Sequence, residues 1–278
     1  MEALYQQASL LSSKVVTNCY STSFSLGIKA LDKSIHDPIY AIYGFVRLAD
    51  EIVDTFHEQD KETLLNEFVR ETNQAIQRKL SLNPVLHSFQ WAVNSYNIEQ
   101  ELIDAFIKSM EHDLFKREYD QKGFEEYIYG SAEAVGLMCL RVFCEGNEAQ
   151  YEELKEPAKR LGSAFQKINF LRDLKDDFEN KGRSYFPSVD LNAFTEADKK
   201  IIEDDILIDF EDGFKGIKDL PNNAKFGVYT AYKYYFALFQ KIKGIKAEKI
   251  IKERIRISDG QKYWLLLTSF LKYKLGMV

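Results

Sequence analysis

The chain has 278 residues, which is enough for one well-filled core or for two domains of roughly 150 residues each. With 45% hydrophobic and 29% charged residues, its composition is that of a soluble globular protein and excludes disordered and collagen-like chains. The net charge of −6 argues against a general affinity for nucleic acid, so a phosphate ligand would need a local basic patch or a metal.

The cysteines and the N-terminus indicate the compartment. Cys19, Cys139 and Cys144 are odd in number and form no Cys-x-x-Cys pair, so they predict neither a disulfide framework nor a zinc site. The N-terminus carries Glu2 and lacks the basic and apolar regions of a secretory signal. Apolar runs such as the one at Trp264 fall short of the roughly 20 residues of a membrane span. We therefore expect a cytoplasmic protein whose membrane contact is peripheral.

Helix start signals follow one another along the chain. Asp37-Pro38 and Asn83-Pro84 each have the pattern of an N-cap followed by proline at the first helical position, and Thr195 to Asp198 resembles a capping box. Clusters of Gly and Asn predict connectors at 122–123, 146–147, 180–182 and 220–223. Strand-like alternation and linker-like tracts are lacking. The sequence thus predicts an all-α protein of nine to eleven helices in a single domain, residues 1–278.

Residues 38–54 are apolar almost all the way round, as in a helix that is enclosed on every side. Spacings of three and four place Arg47, Asp50 and Asp54 on one stripe of this helix, with Tyr43 one turn earlier. Inward-facing carboxylates are costly unless a cation meets them. The stripe therefore predicts a site that holds a cation.

A second polar stripe crosses the apolar helix predicted at 161–178. It consists of Gln166, Asn169, Asp173 and Asp177, with Arg172 beside it. Carboxylate and amide oxygens are ligands for Mg²⁺, which binds through a few carboxylates together with substrate phosphates. Either acidic pair alone would be an ordinary solvated helix face. Two pairs in apolar helices, each near an arginine, favour a magnesium and diphosphate site.

Five segments, taken in order, resemble the squalene and phytoene synthase family. They are Tyr20-Ser-Thr-Ser-Phe24, Tyr43 through Arg47-Leu-Ala-Asp-Glu-Ile-Val-Asp54, Gln166-Lys-Ile-Asn-Phe-Leu-Arg-Asp173 through Asp177, Gly182-Arg-Ser-Tyr-Phe-Pro187 and Glu253-Arg-Ile-Arg256. They span nearly the whole chain, and within the family the chain most resembles the bacterial phytoene synthases.

The resemblance implies an isoprenoid synthase fold, a single helical bundle around a deep apolar cavity with the two Asp motifs facing each other across its mouth. It also implies the head-to-head condensation of two geranylgeranyl diphosphates through a cyclopropylcarbinyl diphosphate. Two or three Mg²⁺ ions, replaceable by Mn²⁺, would be bound by Asp50, Asp54, Asn169, Asp173 and Asp177, and these aspartates with Tyr43 and Arg47 form the predicted catalytic set. The predicted substrate-binding residues are Ser21, Ser23, Phe24, Tyr127, Ala132, Gly136, Gln166, Asn169, Arg172, Tyr235 and Arg254.

The cavity wall itself should be apolar, because water would quench a carbocation. Phe24, Phe165 and Phe170 are the candidate wall residues. Small side chains at Ala132 and Gly136 would leave room for a prenyl chain, although close helix packing explains them equally well. Glu133 lies between them where the family commonly has Gly-Thr-Val-Gly, so the local wall departs from the family pattern.

Two alternatives remain open at this point. One is a squalene or dehydrosqualene synthase that acts on farnesyl diphosphate, and the other is a non-catalytic helical assembly subunit. Only squalene formation would need NADPH, and no dinucleotide-binding Gly-x-Gly-x-x-Gly pattern occurs. A carotenoid desaturase is the expected consumer of phytoene. Such an apolar product also suggests transient contact with the inner membrane face.

Overall fold

The computed structural model describes residues 2–115, 118–179, 183–187, 189 and 193–276, without the side chains of residues 22, 23 and 177–179. The predicted site side chains of Ser23 and Asp177, and the connector predicted at 180–182, therefore lie outside the described part of the chain.

The described chain is built from α-helices. They are α1 (Glu2–Tyr20), α2 (Thr22–Lys29), α3 (His36–Asp54), α4 (Lys61–Arg78), α5 (Pro84–Tyr96), α6 (Gln100–Phe115), α7 (Gln121–Ile128), α8 (Ala134–Cys144), α9 (Glu148–Glu179), α10 (Glu196–Ile217), α11 (Asn222–Lys243), α12 (Ala247–Ile250) and α13 (Asp259–Lys274). Within the described ranges the only extended pairing is one isolated bridge, between Glu118 and Ser184. The all-α prediction is confirmed. The helical segments outnumber the nine to eleven expected because α2 and α12, of 8 and 4 residues, are too short to show periodicity.

Two of the predicted helix starts are confirmed. The Asn83 side chain accepts hydrogen bonds from the backbone N–H groups of Val85 and Leu86 at the start of α5, with Pro84 at the first helical position. Thr195 and Asp198 form a reciprocal capping box at the start of α10.

The predicted N-cap at Asp37 is wrong. A 3₁₀ turn at Lys33–Ile35, capped by Asp32, runs directly into α3, so this helix already begins at His36. Pro38 is tolerated inside its first turn because the first four N–H groups of a helix have no partner within the helix. The Asp32 N–H donates to the Asn223 carbonyl oxygen at 2.8 Å, which fixes the 3₁₀ turn against the start of α11.

The predicted connectors have mixed outcomes. The connector at 146–147 is confirmed, with Gly146 in the left-handed region at a φ of 87°. The prediction of a connector at 122–123 is wrong, because these residues lie in α7. The Asp120 side chain caps this helix by accepting a hydrogen bond from the Gly123 N–H, and the helix begins at residue 121. At 220–223 only the first two residues lie between helices, since α11 begins at Asn222.

Helices α3 and α9 occupy the centre of the molecule. Helix α3 packs against α1, α5, α6 and α8, and α9 packs against α8, α10 and α11. The core around α3 is centred on Phe45, whose ring stacks on Phe89 with centroids 3.8 Å apart. A second core cluster around α9 includes Ile168 and Phe210, and Phe165 packs against both clusters. Polar side chains on α3 and α9 are therefore held in fixed positions by buried helices.

A π turn at Tyr129–Glu133 joins α7 and α8 into one continuous helix. Gln121–Cys144 spans 24 residues and is long and apolar enough to cross a membrane by length and composition, so the expectation that no stretch approaches that length is wrong here. Half of its most apolar window is buried. At Gly130 a Cβ atom would lie 2.3 Å from the Ala105 carbonyl oxygen on α6. Such burial is typical of a core helix.

Candidate active site

A deep cavity of about 700 Å³ opens between the helices that carry the two polar stripes. Its wall is made by residues of α2, α3, α8, α9, α10, α11 and α13 and of the π turn. Small residues form part of this wall, namely Ala132, Gly136, Gly162, Gly213 and Gly216. The cavity can therefore receive a long apolar ligand, as Ala132 and Gly136 predict.

Three predicted site residues from α2 and α3 line one side of the cavity: Ser21, Phe24 and Tyr43. Ser21 is the N-cap of α2 and accepts from the Phe24 N–H at 3.1 Å. The Phe24 ring lies 4.5 Å from the ring of Tyr43. Burial raises the pKa of the Tyr43 hydroxyl, and its hydrogen bond with Ser21 offsets part of that rise. Tyr43 is therefore protonated and available as a hydrogen-bond donor.

Further along α3, Arg47 holds the first carboxylate of the predicted metal site. Its guanidinium donates to Asp50 and to Glu51, and it lies 4.2 Å from the ring centroid of Tyr20. Its Nε atom is buried and has no hydrogen-bond partner in the described part of the structure. Arg47 is thus oriented by carboxylates and a ring, and it retains one N–H for a further acceptor.

The second carboxylate of the α3 stripe, Asp54, accepts a hydrogen bond from a buried polar cluster. Arg183 donates from Nη1 to Asp54 Oδ1 at 3.0 Å, while its Nη2 donates to the Asp113 carbonyl oxygen at 2.9 Å. The hydroxyls of Tyr127 and Tyr185 donate to the Asp113 carboxyl at 2.8 and 3.1 Å. Burial raises the pKa of Asp113 to about 7, although the Arg183 charge opposes that rise. This cluster fixes the end of the α3 stripe.

The opposite side of the cavity carries Gln166, Asn169 and Arg172 of α9, which all line it. The Tyr235 hydroxyl, from α11, donates to Asn169 Oδ1 at 3.4 Å, and its ring stacks on Phe165 at 4.0 Å. Burial raises the pKa of Tyr235. Tyr43 of α3 lines the same cavity, so both helices contribute polar side chains to its wall.

Asp173 sits between two arginines at the mouth. Arg172 Nη2 lies 2.5 Å from Asp173 Oδ2, and Arg254 Nε lies 2.6 Å from Asp173 Oδ1. Two further cations, Arg256 and Lys262, line the same cavity and had no role in the sequence prediction. The alternating Arg-Ile-Arg-Ile sequence at 254–257 could have predicted that Arg256 is available to the site. In an extended segment, alternation buries the two isoleucines and leaves both arginines exposed.

Ten of the predicted substrate-binding and catalytic residues line the cavity. They are Ser21, Phe24, Tyr43, Ala132, Gly136, Gln166, Asn169, Arg172, Tyr235 and Arg254. Asp173 is joined to this set through its ion pairs with Arg172 and Arg254, whereas Arg47 with Asp50, and Asp54 with Arg183, form separate ion pairs whose members do not line the cavity. Their roles in binding and turnover stay predictions.

Tyr127 and Phe170 lie elsewhere. Tyr127 is 3% exposed and points its hydroxyl at Asp113, so it does not form part of the cavity wall. Phe170, predicted as a wall residue, stacks instead on Tyr185 with centroids 4.1 Å apart, and that prediction is wrong. Phe170 follows Gln166 by one helical turn, so its spacing matches that of the stripe, but its ring packs against Tyr185, Tyr127 and Phe186.

Glu133, the departure from the family pattern, does not enter the cavity either. Burial raises its pKa to about 7, and the charges of Lys159, Asp209 and Arg160 act on it from α9 and α10. Since Glu133 does not line the cavity, the wall at Ala132 and Gly136 carries no carboxylate at this point.

The donor chemistry at the mouth fits Mg²⁺. Among the described residues there is no preassembled group of three or more acidic, His or Cys side chains that could hold a metal alone. Asp50, Asp54 and Asp173 are each paired with an arginine and remain 33%, 19% and 19% exposed. Mg²⁺ commonly binds through one or two carboxylates together with substrate phosphates and waters. These carboxylates therefore fit an ion that is completed by a diphosphate.

Comparison with known proteins supports the resemblance seen in the sequence. The family model described as squalene/phytoene synthase matches residues 17–208. A 4,4'-diapophytoene synthase from Staphylococcus haemolyticus is 29% identical over 273 residues, covering 92% of this chain and 94% of the relative. A 15-cis-phytoene synthase from Synechocystis is 28% identical over 290 residues, covering 92% and 83%. The fold matches the crystal structure of a dehydrosqualene synthase with a TM-score of 0.81 at 21% identity, covering 97% and 98% of the two chains.

Proposed function

We propose, because the chain belongs to the squalene/phytoene synthase family of prenyltransferases, that it joins two allylic prenyl diphosphates head to head. The observation that carries this proposal is the combination of one deep apolar cavity with a mouth that holds both carboxylates and arginines. An apolar cavity accepts prenyl chains, and the charged mouth suits diphosphates.

Phytoene, made from two geranylgeranyl diphosphates, is the proposed product. The resemblance of the sequence motifs to bacterial phytoene synthases supports it, as does the relative from Synechocystis. The glycine and alanine residues in the cavity wall leave space for long chains.

Substrate binding follows from the cations and donors of the mouth. Arg172 and Arg254 line the cavity beside Asp173, so two guanidinium groups can donate to phosphate oxygens, and Arg47, beside Asp50, is the third cation proposed for this role. The Tyr43 hydroxyl is a further donor. When bound, Mg²⁺ held by Asp50, Asp54, Asn169, Asp173 and Asp177 would neutralise the leaving diphosphate as a Lewis acid.

The chemistry proceeds by two ionisations. The C–O bond of the first substrate breaks and its electron pair leaves with diphosphate. The allylic cation is attacked by the double bond of the second substrate, and loss of a proton closes a cyclopropylcarbinyl diphosphate. The second diphosphate then leaves, the carbon skeleton rearranges, and a second proton is lost to give the conjugated hydrocarbon.

The apolar wall protects these cations from water. Two close ring pairs line the cavity: Phe24 and Tyr43 are tilted relative to each other, and Phe165 and Tyr235 are stacked. The faces of aromatic rings attract nearby cations, so these pairs can stabilise positive charge as it forms.

A second candidate is dehydrosqualene made from two farnesyl diphosphates. The specific observation in its favour is the Staphylococcus haemolyticus relative, which this chain matches over 94% of that protein's length. The two candidates share every polar residue at the mouth and differ only in the length of chain that the cavity accepts.

The deciding experiment supplies purified protein and Mg²⁺ with either diphosphate, with and without NADPH, and identifies the extracted hydrocarbon by mass spectrometry. We expect the hydrocarbon of phytoene mass from geranylgeranyl diphosphate, independent of NADPH. If hydrocarbon forms from farnesyl diphosphate and not from geranylgeranyl diphosphate, the proposed product becomes dehydrosqualene. A strict requirement for NADPH would indicate squalene formation. No hydrocarbon under any condition would overturn the proposal in favour of a non-catalytic assembly subunit.

A further inference from the structure

The outer face of α13 is apolar, which is unusual for a surface helix. Six of the large hydrophobic side chains that are exposed lie on α13 or at its C-cap: Tyr263, Trp264, Leu267, Phe270, Leu271 and Leu275. Helical spacing puts them on one side, opposite the buried Ser269. A helix that packs on a core by one face normally presents charged and polar residues on the other.

The C-terminal part of the chain, which carries this face, is basic. From residue 225 to residue 278 the sequence has twelve Lys or Arg and three Asp or Glu, a net charge of +9 in a chain whose total is −6. Lys272 and Lys274 lie in the last turn of α13, and Lys274 sits 5.7 Å from the ring centroid of Phe270. Burial and the neighbouring Lys272 charge lower the pKa of Lys233 on α11, the helix that packs against α13.

The same helix also forms part of the cavity. Lys262, Leu265 and Leu266 line the cavity, and they alternate along the helix with the exposed Tyr263, Trp264 and Leu267. Helix α13 is thus a thin wall with the prenyl-sized cavity on one side and an apolar, basic surface on the other. A hydrocarbon leaving past this wall would reach that surface first.

We propose that the outer face of α13 docks the molecule on an anionic lipid bilayer. Trp and Tyr favour the membrane interface, lysines reach anionic headgroups while their stems cover apolar surface, and a helix of this kind lies in the plane of the interface. The excess of positive charge selects a negatively charged surface, whereas a second copy of this chain would bring like charges together. This proposal rests on the proposed function, since the docked membrane would receive an apolar product from the cavity.

The test is flotation of the full chain with vesicles of phosphatidylcholine alone or with phosphatidylglycerol added. The wild-type protein should float with the anionic vesicles, less with the neutral ones, and less again when salt is added. The triple variant Trp264→Ser, Leu267→Ser, Leu271→Ser should lose at least about tenfold in vesicle partitioning, because it removes three exposed apolar side chains.

A matched control removes three apolar side chains of similar exposure from α1, in Leu4→Ser, Leu11→Ser, Val15→Ser. This variant should float as the wild type does. None of the six residues lines the cavity, so both variants should form hydrocarbon in detergent at the wild-type rate.

Two flotation results would overturn the proposed docking surface: wild-type protein that stays at the bottom of the gradient with anionic vesicles, and equal flotation of the two triple variants. A third contrary result would come from sedimentation, if the wild-type protein were a dimer that only the α13 variant converts to monomer. The last outcome would assign the face to a second copy. Failure of the proposed function looks different, because wild-type protein would then give no hydrocarbon in detergent while flotation followed the pattern above.

Discussion

Arg254 and Asp173 are 81 residues apart in the chain, and the Arg254 Nε lies 2.6 Å from Asp173 Oδ1. This ion pair joins the extended segment after α12 to the polar stripe of α9, where Arg172 meets the same carboxylate from the other side. A diphosphate that draws a metal to Asp173 would release both guanidinium groups toward its own oxygens. Under the proposed function, the pair would link substrate binding to the C-terminal part of the chain.

Replacing Arg254 should impair substrate binding more than folding. In Arg254→Gln we expect kcat/KM to fall by about ten- to hundredfold, because a charged hydrogen bond to the diphosphate is worth about 1.5–3 kcal/mol. The free energy of unfolding should change by less than about 0.5 kcal/mol, as for other exposed positions. Steady-state kinetics and thermal unfolding measure the two effects. Lys252→Gln, an exposed basic position two residues away, is the control, and equal kinetics in both variants would refute the role of Arg254.

The carboxylates at the mouth should be required for turnover. In Asp50→Asn and Asp173→Asn we expect turnover to fall at least about hundredfold, since each change removes a charge that orients the ionising diphosphate. Both side chains are partly exposed, so the melting temperature should stay close to that of the wild-type protein. Hydrocarbon formation and calorimetry test this. Asp204→Asn on the exposed side of α10 is the control, and a fully active Asp50→Asn or Asp173→Asn variant would contradict the proposed site.

Local patterns made the helices and the polar stripes predictable. The stripe of Arg47, Asp50 and Asp54 and that of Gln166 and Asn169 follow from helical periodicity alone. The N-caps at Asn83 and Thr195 follow from side chains that bond to backbone within three residues. These features depend on neighbours in the chain, so one sequence is enough to reveal them.

Contacts between distant segments were not predictable in this way. The early start of α3 follows a 3₁₀ turn next to which the Asp32 N–H donates to the Asn223 carbonyl oxygen, and nothing near Asp37 in the sequence reveals that contact. The Arg183 bridge to Asp54 and Asp113 likewise joins three separate segments. Periodicity describes one helix at a time and carries no information on which charged side chain a partner helix will supply.

The buried cluster beneath Asp54 should matter for stability. Arg183 and Asp113 are 5% and 4% exposed, so Arg183→Met leaves a buried carboxyl without its cation. We expect the free energy of unfolding to fall by about 3 kcal/mol. The double variant Arg183→Met, Asp113→Asn should recover part of that loss, because the buried charge is gone. Urea unfolding of the single and double variants measures the coupling, and additive losses would show that the two groups do not act as a pair.

Gly136 offers a way to shorten the cavity. A Cβ atom there would meet only the Ala158 carbonyl oxygen, at 3.6 Å, so Gly136→Leu should fold and should project its side chain into the cavity that Gly136 lines. We expect product from geranylgeranyl diphosphate to fall at least about tenfold relative to product from farnesyl diphosphate, since lost volume penalises the longer chain more. Competition assays with both diphosphates measure the ratio.

Two further variants control for folding at this wall. Gly136→Ala adds little volume and should keep the wild-type product ratio. Gly213→Ala should instead destabilise the protein, because its Cβ would lie 3.0 Å from the backbone nitrogen of Leu161. If the product ratio of Gly136→Leu equals that of the wild-type protein, the prenyl chains do not end near Gly136, and the prediction is wrong.

Glu133 should make stability depend on pH. Burial raises its pKa to about 7 in the folded protein, above the ordinary value of 4.5, so the folded state holds this proton more tightly than the unfolded state does. Stability is therefore lost as the pH rises from about 4.5 through 7, by up to about 3 kcal/mol. Glu133→Gln cannot ionise and should be more stable than the wild-type protein at pH 8, with the difference shrinking toward pH 5. Chemical unfolding at both values tests this against Glu153→Gln, an exposed position on α9. A Glu133→Gln variant that is less stable than the wild-type protein at pH 8 would mean that Lys159 and Arg160 stabilise the carboxylate more than burial opposes it.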